Sequence, residues 1–298
     1  MTNDPPTYVE NLLNQLDGIA KSYGEVVAAS GIDYVNPNRH DTDIMFLGWA
    51  DWGWSPSDNN LESSRMALLR RLRDWVPCFR LLFPHPTPEV ANRLDEGIGH
   101  LERWLVRDGR SDHDIPSTIE EAQHKLAVTL ADLRGLTKLL PSDDYSVRLV
   151  VDTNALLDNP DLAAYVGTLG RKYVVHLLPV VLGEIDDLKR GGRNEIVRDA
   201  AKRADRRLKG IRTNGDVGKG VRVAGDVIVK FEHIEPRSQD LPAWLDMTVP
   251  DDRFVASTLL LQSEHPGSAL YAGTSDINLQ TKLAATGLPH VEPPPEIQ

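Results

Sequence analysis

After residue 146 the sequence alternates short apolar runs with helical patterns, and an acidic residue stands beyond each of several runs or opens the helix that follows. The run 147–151 leads directly into Asp152. The run 173–178 leads into a helical pattern beginning at Pro179 and carrying Glu184. Asp251 and Asp252 follow Pro250 in the first turn of another pattern, and the run 269–272 is followed by Thr274-Ser275-Asp276. Strands at 147–151, 173–178, 226–233 and 269–272, with 221–223 beside the third, alternate with helices at 161–168, 179–188, 194–209, 251–263 and 279–286. This pattern predicts an α/β sheet with largely parallel central strands. Such sheets collect ligands beyond the carboxyl ends of their strands, so acids scattered through the sequence converge there. Carboxylates sharing one pocket repel each other and lose hydration unless cations or hydrogen-bond donors offset their charge. Hard divalent ions take oxygen ligands, activate water and stabilise a leaving oxygen, so the pattern points to metal-assisted hydrolysis of a phosphodiester. Any one of these acids alone reads as a helix cap or a surface group; the set carries the inference.

The first half has helical period throughout, with patterns at 8–29, 61–75, 88–106 and 116–140, the last two opening at prolines. The expectation is an all-helical accessory or regulatory domain over 1–145 and an α/β domain over 146–298, divided near residues 141–144. Residues 30–60 read as a long loop containing Trp49, Trp52 and Trp54. Two readings stay open for it: indoles packed against the helices, or an aromatic surface for a partner or an unpaired base. Asp41 and Asp43 in that loop read as solvated, and the tail 292–295 as extended and uninvolved.

Charge is uneven. The net charge is -11, but residues 1–145 carry -9 and residues 146–298 only -2, while Lys189 to Arg212 holds 10 basic and 3 acidic residues. Lys189, Arg190 and Arg193 flank two glycines, and Arg198, Lys202 and Arg206 recur near helical spacing. They read as a clamp on a polyanion, or else as a solvated helix balanced by Glu195, Asp199 and Asp205, or one docked on the acidic first domain. The single cysteine, Cys78, excludes an internal disulfide framework and a cysteine-rich zinc site. The nine histidines form no paired zinc motif, and His176, inside an apolar run, reads as a core residue. Gly218-Lys219-Gly220 lacks the pattern of a nucleotide-phosphate loop. No apolar run is long enough to span a membrane, and residues 1–6 lack a basic-then-apolar leader pattern, so the expected location is cytoplasmic.

Together, Val151-Asp152-Thr153-Asn154-Ala155-Leu156-Leu157, the 179–188 segment with Glu184, Asp251-Asp252-Arg253-Phe254-Val255-Ala256 and Thr274-Ser275-Asp276-Ile277-Asn278-Leu279 resemble the PIN domain family of metal-dependent nucleases, related in fold to flap-endonuclease-type enzymes. The resemblance covers about residues 146–290. It implies a central parallel sheet flanked by helices, a pocket binding Mg2+ or Mn2+, and action most commonly on RNA, with DNA as the other substrate. Carried over residue by residue, it implies Asp152, Glu184, Asp251 and Asp276 as metal-binding and catalytic acids, with Asp252 as the alternative to Asp251. Thr153, Asn154, Thr274 and Ser275 would orient them or touch phosphate. Asp152, Asp251 and Asp276 would hold the ion, Glu184 would position or deprotonate the attacking water, and the products would carry 5′-phosphate and 3′-hydroxyl ends. The implied function is a metal-dependent endoribonuclease acting on single-stranded or structured RNA. The alternatives are a catalytically weak RNA-binding or protein-interaction scaffold and a toxin-type ribonuclease of a toxin–antitoxin or phage-defence system. A protein partner, intramolecular regulation through the helical domain and oligomerisation stay open.

Overall fold

The computed structural model describes residues 6–35, 51–108, 114–192, 194–237, 241–242 and 244–295. Trp49, Asp41, Asp43 and Arg193 lie outside the described residues. The chain divides into two compact units, residues 12–139 and residues 1–11 together with 140–298.

The first unit is helical, built from α1 (Tyr8–Ala28), α2 (Asn59–Leu81), α3 (Pro88–Val106) and α4 (Ile119–Leu136). Leu16, Ile19 and Tyr23 of α1, Leu72, Trp75 and Phe79 of α2, Leu101 and Trp104 of α3 and Leu133 of α4 are buried, which is the apolar stripe that helical period predicts. Three helices open on side-chain caps, Asp58, Thr87 and Thr118, each accepting from a backbone N–H three residues on. Helix α4 therefore begins after Thr118 rather than at Pro116. Helix α2 runs past Trp75 and through Pro77 to Leu81. Its last turn buries Phe79 and Leu81, and Trp75 stacks on Phe79 with ring centroids 4.4 Å apart; this packing outweighs the one backbone bond that proline removes.

The loop reading of residues 30–60 needs correction. Strands β1 (Ile32–Val35) and β2 (Asp51–Trp54) pair antiparallel, with Tyr34 opposite Trp52. Trp54 stands edge-on to Trp104 at 5.2 Å, with the Arg107 guanidinium 4.3 Å from its ring, and Trp52 meets Tyr34 edge-on at 5.7 Å. Each strand is four residues long and finds its partner far along the chain, so neither has a local signal.

The second unit holds the α/β sheet. Its strands are β3 (Val147–Val151), β4 (Lys172–Leu177), β5 (Val221–Ala224), β6 (Asp226–Phe231), β7 (Ala269–Gly273) and β8 (His290–Val291), in the order β5-β6-β4-β3-β7-β8. Only β5 runs antiparallel to its neighbour. β3 is buried along its whole length, as a central parallel strand covered on both faces must be. The helices are α5 (Thr153–Asp158), α6 (Val166–Leu169), α7 (Pro179–Gly191), α8 (Glu195–Thr213), α9 (Pro250–Glu264) and α10 (Ile277–Ala285).

The expected helix over 161–168 is reduced to the short α6, and α5 forms ahead of it. The Asp152 carboxylate accepts from Ala155 N–H at 2.6 Å and starts α5. Asn159, before Pro160, takes the extended conformation (φ -141°, ψ 102°) and ends it, because proline disfavours helical geometry in the residue preceding it. The tail is not uninvolved either. Asn159 Nδ2 donates to Pro294 O at 3.1 Å, and Gln280 Nε2 donates to Glu292 Oε1 at 2.8 Å.

A charged network is buried beneath the sheet. Arg148 donates to Asp143 at 2.6 Å, to Ser268 Oγ at 3.1 Å and to His176 Nε2 at 2.9 Å. Arginine has only donors, so His176 accepts at Nε2 and donates from Nδ1 to Glu232 at 2.7 Å. Burial pushes the His176 pKa down, and burial with the nearby Arg148 charge pushes His265 down to about 4. Burial alone would raise Asp143 and Glu232, but their bonds to Arg148 and to His176 hold both below the usual carboxylate range. In the unfolded chain the histidines protonate near their ordinary value of about 6.5. The unfolded state therefore binds more protons below that pH, and stability falls as the pH drops from about 6.5 toward 4. Urea melts across that range should show this loss; a flat or rising midpoint would contradict it. Arg148→Met should cost about 3–5 kcal/mol at pH 7, because it strands a buried carboxylate.

Candidate active site

The register of the sheet builds the site. Val151 pairs with Gly273, so Asp152 and Thr274 leave the ends of β3 and β7 side by side. The Asp152 N–H donates to Gly273 O at 3.1 Å, and Thr274 Oγ1 donates to Asp152 Oδ2 at 2.5 Å. The same hydroxyl accepts from Asp276 N–H at 3.1 Å, so one fully buried threonine links the two acids. A Cβ on Gly273 would stand 2.7 Å from the Tyr165 hydroxyl, so glycine at the end of β7 is a packing requirement.

Three of the four acids are presented by helix starts. Asp152 caps α5 with one oxygen, and Asp276 caps α10, its Oδ1 accepting from Asn278 N–H at 2.8 Å and Leu279 N–H at 3.1 Å. Asp251 lies in the first turn of α9, where the helix dipole favours negative charge. Glu184 projects from α7, and its Oε2 accepts a short hydrogen bond from the Thr153 hydroxyl. Asp152, Glu184, Asp251 and Asp276 line one pocket of about 340 Å³, together with Thr153 and Asn154.

Asp252 points elsewhere. It is buried, accepts from Asp246 N–H at 2.9 Å and pairs with Lys282 Nζ at 2.6 Å. The N-cap of α9 is Val249, so neither aspartate holds that position. Ser275 is exposed and does not line the pocket. Two residues were not assigned to the site from the sequence, where Asp186 and Asp187, at i+2 and i+3, need not share the direction of Glu184. Asp187 lines the pocket, one helical turn from Glu184, whereas Asp186 turns away to Lys189 at 2.6 Å; the i,i+3 spacing on α7 was the available signal. Lys282 stands 3.6 Å from Asp251 and bridges it to Asp252, a contact between α9 and α10 that no local pattern announces.

Among the described residues, no basic residue of the 189–206 segment lines the acidic pocket. Lys189 pairs with Asp186 at 2.6 Å and Asp205 at 2.9 Å, and Lys202 pairs with Asp199 at 2.9 Å. Arg198 donates to Gly192 O at 3.1 Å, and Arg190 is exposed.

The donor set fits a divalent ion by its charge. Among the described residues, Asp152, Glu184 and Asp276 have only neutral hydrogen-bond partners, and Lys282 is the one cation near the group, beside Asp251. Burial raises the Asp152 pKa; hydrogen bonds from Thr274 and Ala155 work against this, and the Asp276 charge adds to it. Among the described residues, no three His, Cys, Asp or Glu side chains stand close enough to enclose an ion by themselves. A cation such as Mg2+ needs only one or two carboxylates directly, because it keeps several waters.

A raised carboxylate pKa means that the ionised form costs the fold stability at neutral pH. Asp152→Asn keeps the capping oxygen and removes that charge, so the protein without divalent ions should gain about 0.5–2 kcal/mol, the range of single stabilising changes. Mn2+ should raise the melting temperature of the wild type but not of the variant. A variant less stable than the wild type in chelator would make Asp152 a structural cap instead.

Residues 149–292 match the family model of the PIN domain. No curated protein matches the chain. Among the described residues, no helix is long and apolar enough to cross a membrane. The mostly parallel sheet, the acids gathered where its strands end and the family match agree: residues 149–292 of this chain form a PIN domain, a fold of nuclease type.

Proposed function

We propose that this PIN domain is a metal-dependent endoribonuclease whose active site is the pocket bounded by Asp152, Glu184, Asp251 and Asp276. The observation that carries this reading is the convergence of these acids, with Asp187, in one pocket where three of them have only neutral partners. A binding scaffold gains nothing from carboxylates that repel one another. Family membership supports the same reading, since PIN domains are commonly metal-dependent ribonucleases.

One or two of Asp152, Asp251 and Asp276 would hold Mg2+ or Mn2+ directly and the others through water, with Glu184 and Asp187 within the same pocket. When bound, such an ion lowers the pKa of water and offsets charge on the leaving oxygen. Thr274 fixes Asp152 and Asp276 relative to each other, so the ligand oxygens are set before substrate arrives. Thr153 occupies Glu184 Oε2, which leaves Oε1 to orient the attacking water and take its proton. Attack at phosphorus then breaks the bond to the 3′ oxygen, leaving a 5′-phosphate on one fragment and a 3′-hydroxyl on the other. The substrate is RNA, single-stranded or structured.

The purified full chain, assayed on RNA and DNA of one sequence, should cleave RNA with Mn2+ or Mg2+ and lose activity in chelator. Asp152→Asn and Asp276→Asn should each lower the rate by at least about 100-fold, the scale of losing one electrostatic stabiliser. Thr274→Val should cost about 10–100-fold, the range for a residue that orients a metal ligand. Equal cleavage by wild type and both asparagine variants would refute the site. Tight RNA binding with no cleavage under any divalent ion would replace the enzyme with a scaffold.

A further inference from the structure

A second cleft lies on the same unit, lined by residues of the C-terminal half of α8 and of β5, and it shares no lining residue with the acidic pocket. Its volume is about 490 Å³. Arg203, Arg206 and Arg207 line it from α8 and Arg222 from β5, and among the described residues no acidic side chain lines it. The α8 residues follow i, i+3, i+4 spacing, and Gly210 continues the stripe at i+7. A Cβ on Gly210 would meet nothing within 4 Å, so the cleft floor is open there.

We propose that this arginine cleft holds the phosphate backbone of the RNA substrate, away from the cleavage pocket; the proposal rests on the ribonuclease reading above. Guanidinium groups suit this task because they remain charged and offer paired donors to phosphate oxygens. At Arg207 and Arg222 the competing carboxylates are weak. Arg207 meets Asp161 at 3.3 Å and Arg222 meets Asp226 at 3.1 Å, and all four side chains are 45–67% exposed. Exposed pairs of this kind contribute little and yield readily to a phosphate. Toward the end of α7 and the start of α8 the donors are more firmly engaged: Lys189, only 19% exposed, by two carboxylates and Arg198 by a backbone carbonyl. The polyanion surface read from the sequence therefore extends along α8 past Arg206 to Arg207, and across to Arg222.

The test is binding of a labelled single-stranded RNA oligonucleotide to the full chain in chelator, titrated against salt, which keeps it independent of cleavage. The triple variant Arg203→Gln, Arg206→Gln, Arg222→Gln should bind at least about tenfold more weakly, and its log affinity against log salt should flatten by about 2, given roughly 0.7 per single-strand phosphate contact. Gly210→Glu, which places a carboxylate in open space and improves helix propensity, should weaken binding similarly without removing any arginine. The control variant Lys189→Gln should leave affinity and slope near the wild-type values. Wild-type affinity and slope in both cleft variants would overturn the proposal, as would loss of binding in the lysine variant alone. Made on the Asp152→Asn background, whose cleavage is already lowered, the cleft substitutions should cost the same fold-loss of RNA affinity. Failure of the cleft is thus separable from failure of the active site.

Discussion

The parallel pairing of β3 with both β4 and β7 is the constraint from which the site follows. Val150 is opposite His176 on one side and Ala272 on the other, so all three strands end at nearly the same level. Beyond that level the chain must turn into helices, and α5, α7 and α10 begin there. Helix starts need acceptors for their free N–H groups, and aspartate supplies them at Asp152 and Asp276. The same residues that close the local hydrogen bonding thereby bring negative charge to one place.

That arrangement sets stability against function. A buried carboxylate beside others is unfavourable until a cation arrives, and Asp152 is buried with only a hydroxyl and a backbone N–H as partners. The fold tolerates this because each acid also does structural duty as a cap or as a hydrogen-bond acceptor. Asp252, next to Asp251, shows the other outcome: Lys282 pairs with it directly, and it takes no place on the pocket wall. Beneath the sheet, Arg148 plays the same neutralising part for Asp143 and, through His176, connects to Glu232. One end of the sheet is left short of cations while the buried interior is not.

Features with a local cause were legible in the sequence. Helix α3 has the expected bounds, because Thr87, Pro88 and a steady apolar stripe mark it. The strand-end positions of Asp152 and Asp276 followed from apolar run length alone, and the pocket gathers all four acids singled out from the sequence. What escaped depends on contacts distant in sequence. The β1–β2 pairing joins segments separated by 15 residues, α2 passes Pro77 because of the core beneath it, and Thr274 can link two acids only once β3 and β7 are in register. The basic segment was visible as composition, but which cations remain available depended on the carboxylates that folding brings to them.

Mn2+ anomalous diffraction from crystals of the protein decides whether these acids form a cation site. An anomalous peak should lie inside the pocket, within direct reach (about 2–2.6 Å for oxygen ligands) of one or two of Asp152, Asp251 and Asp276. Mn2+ bound elsewhere on the chain, with Lys282 or ordered water alone facing those carboxylates, would contradict such a site.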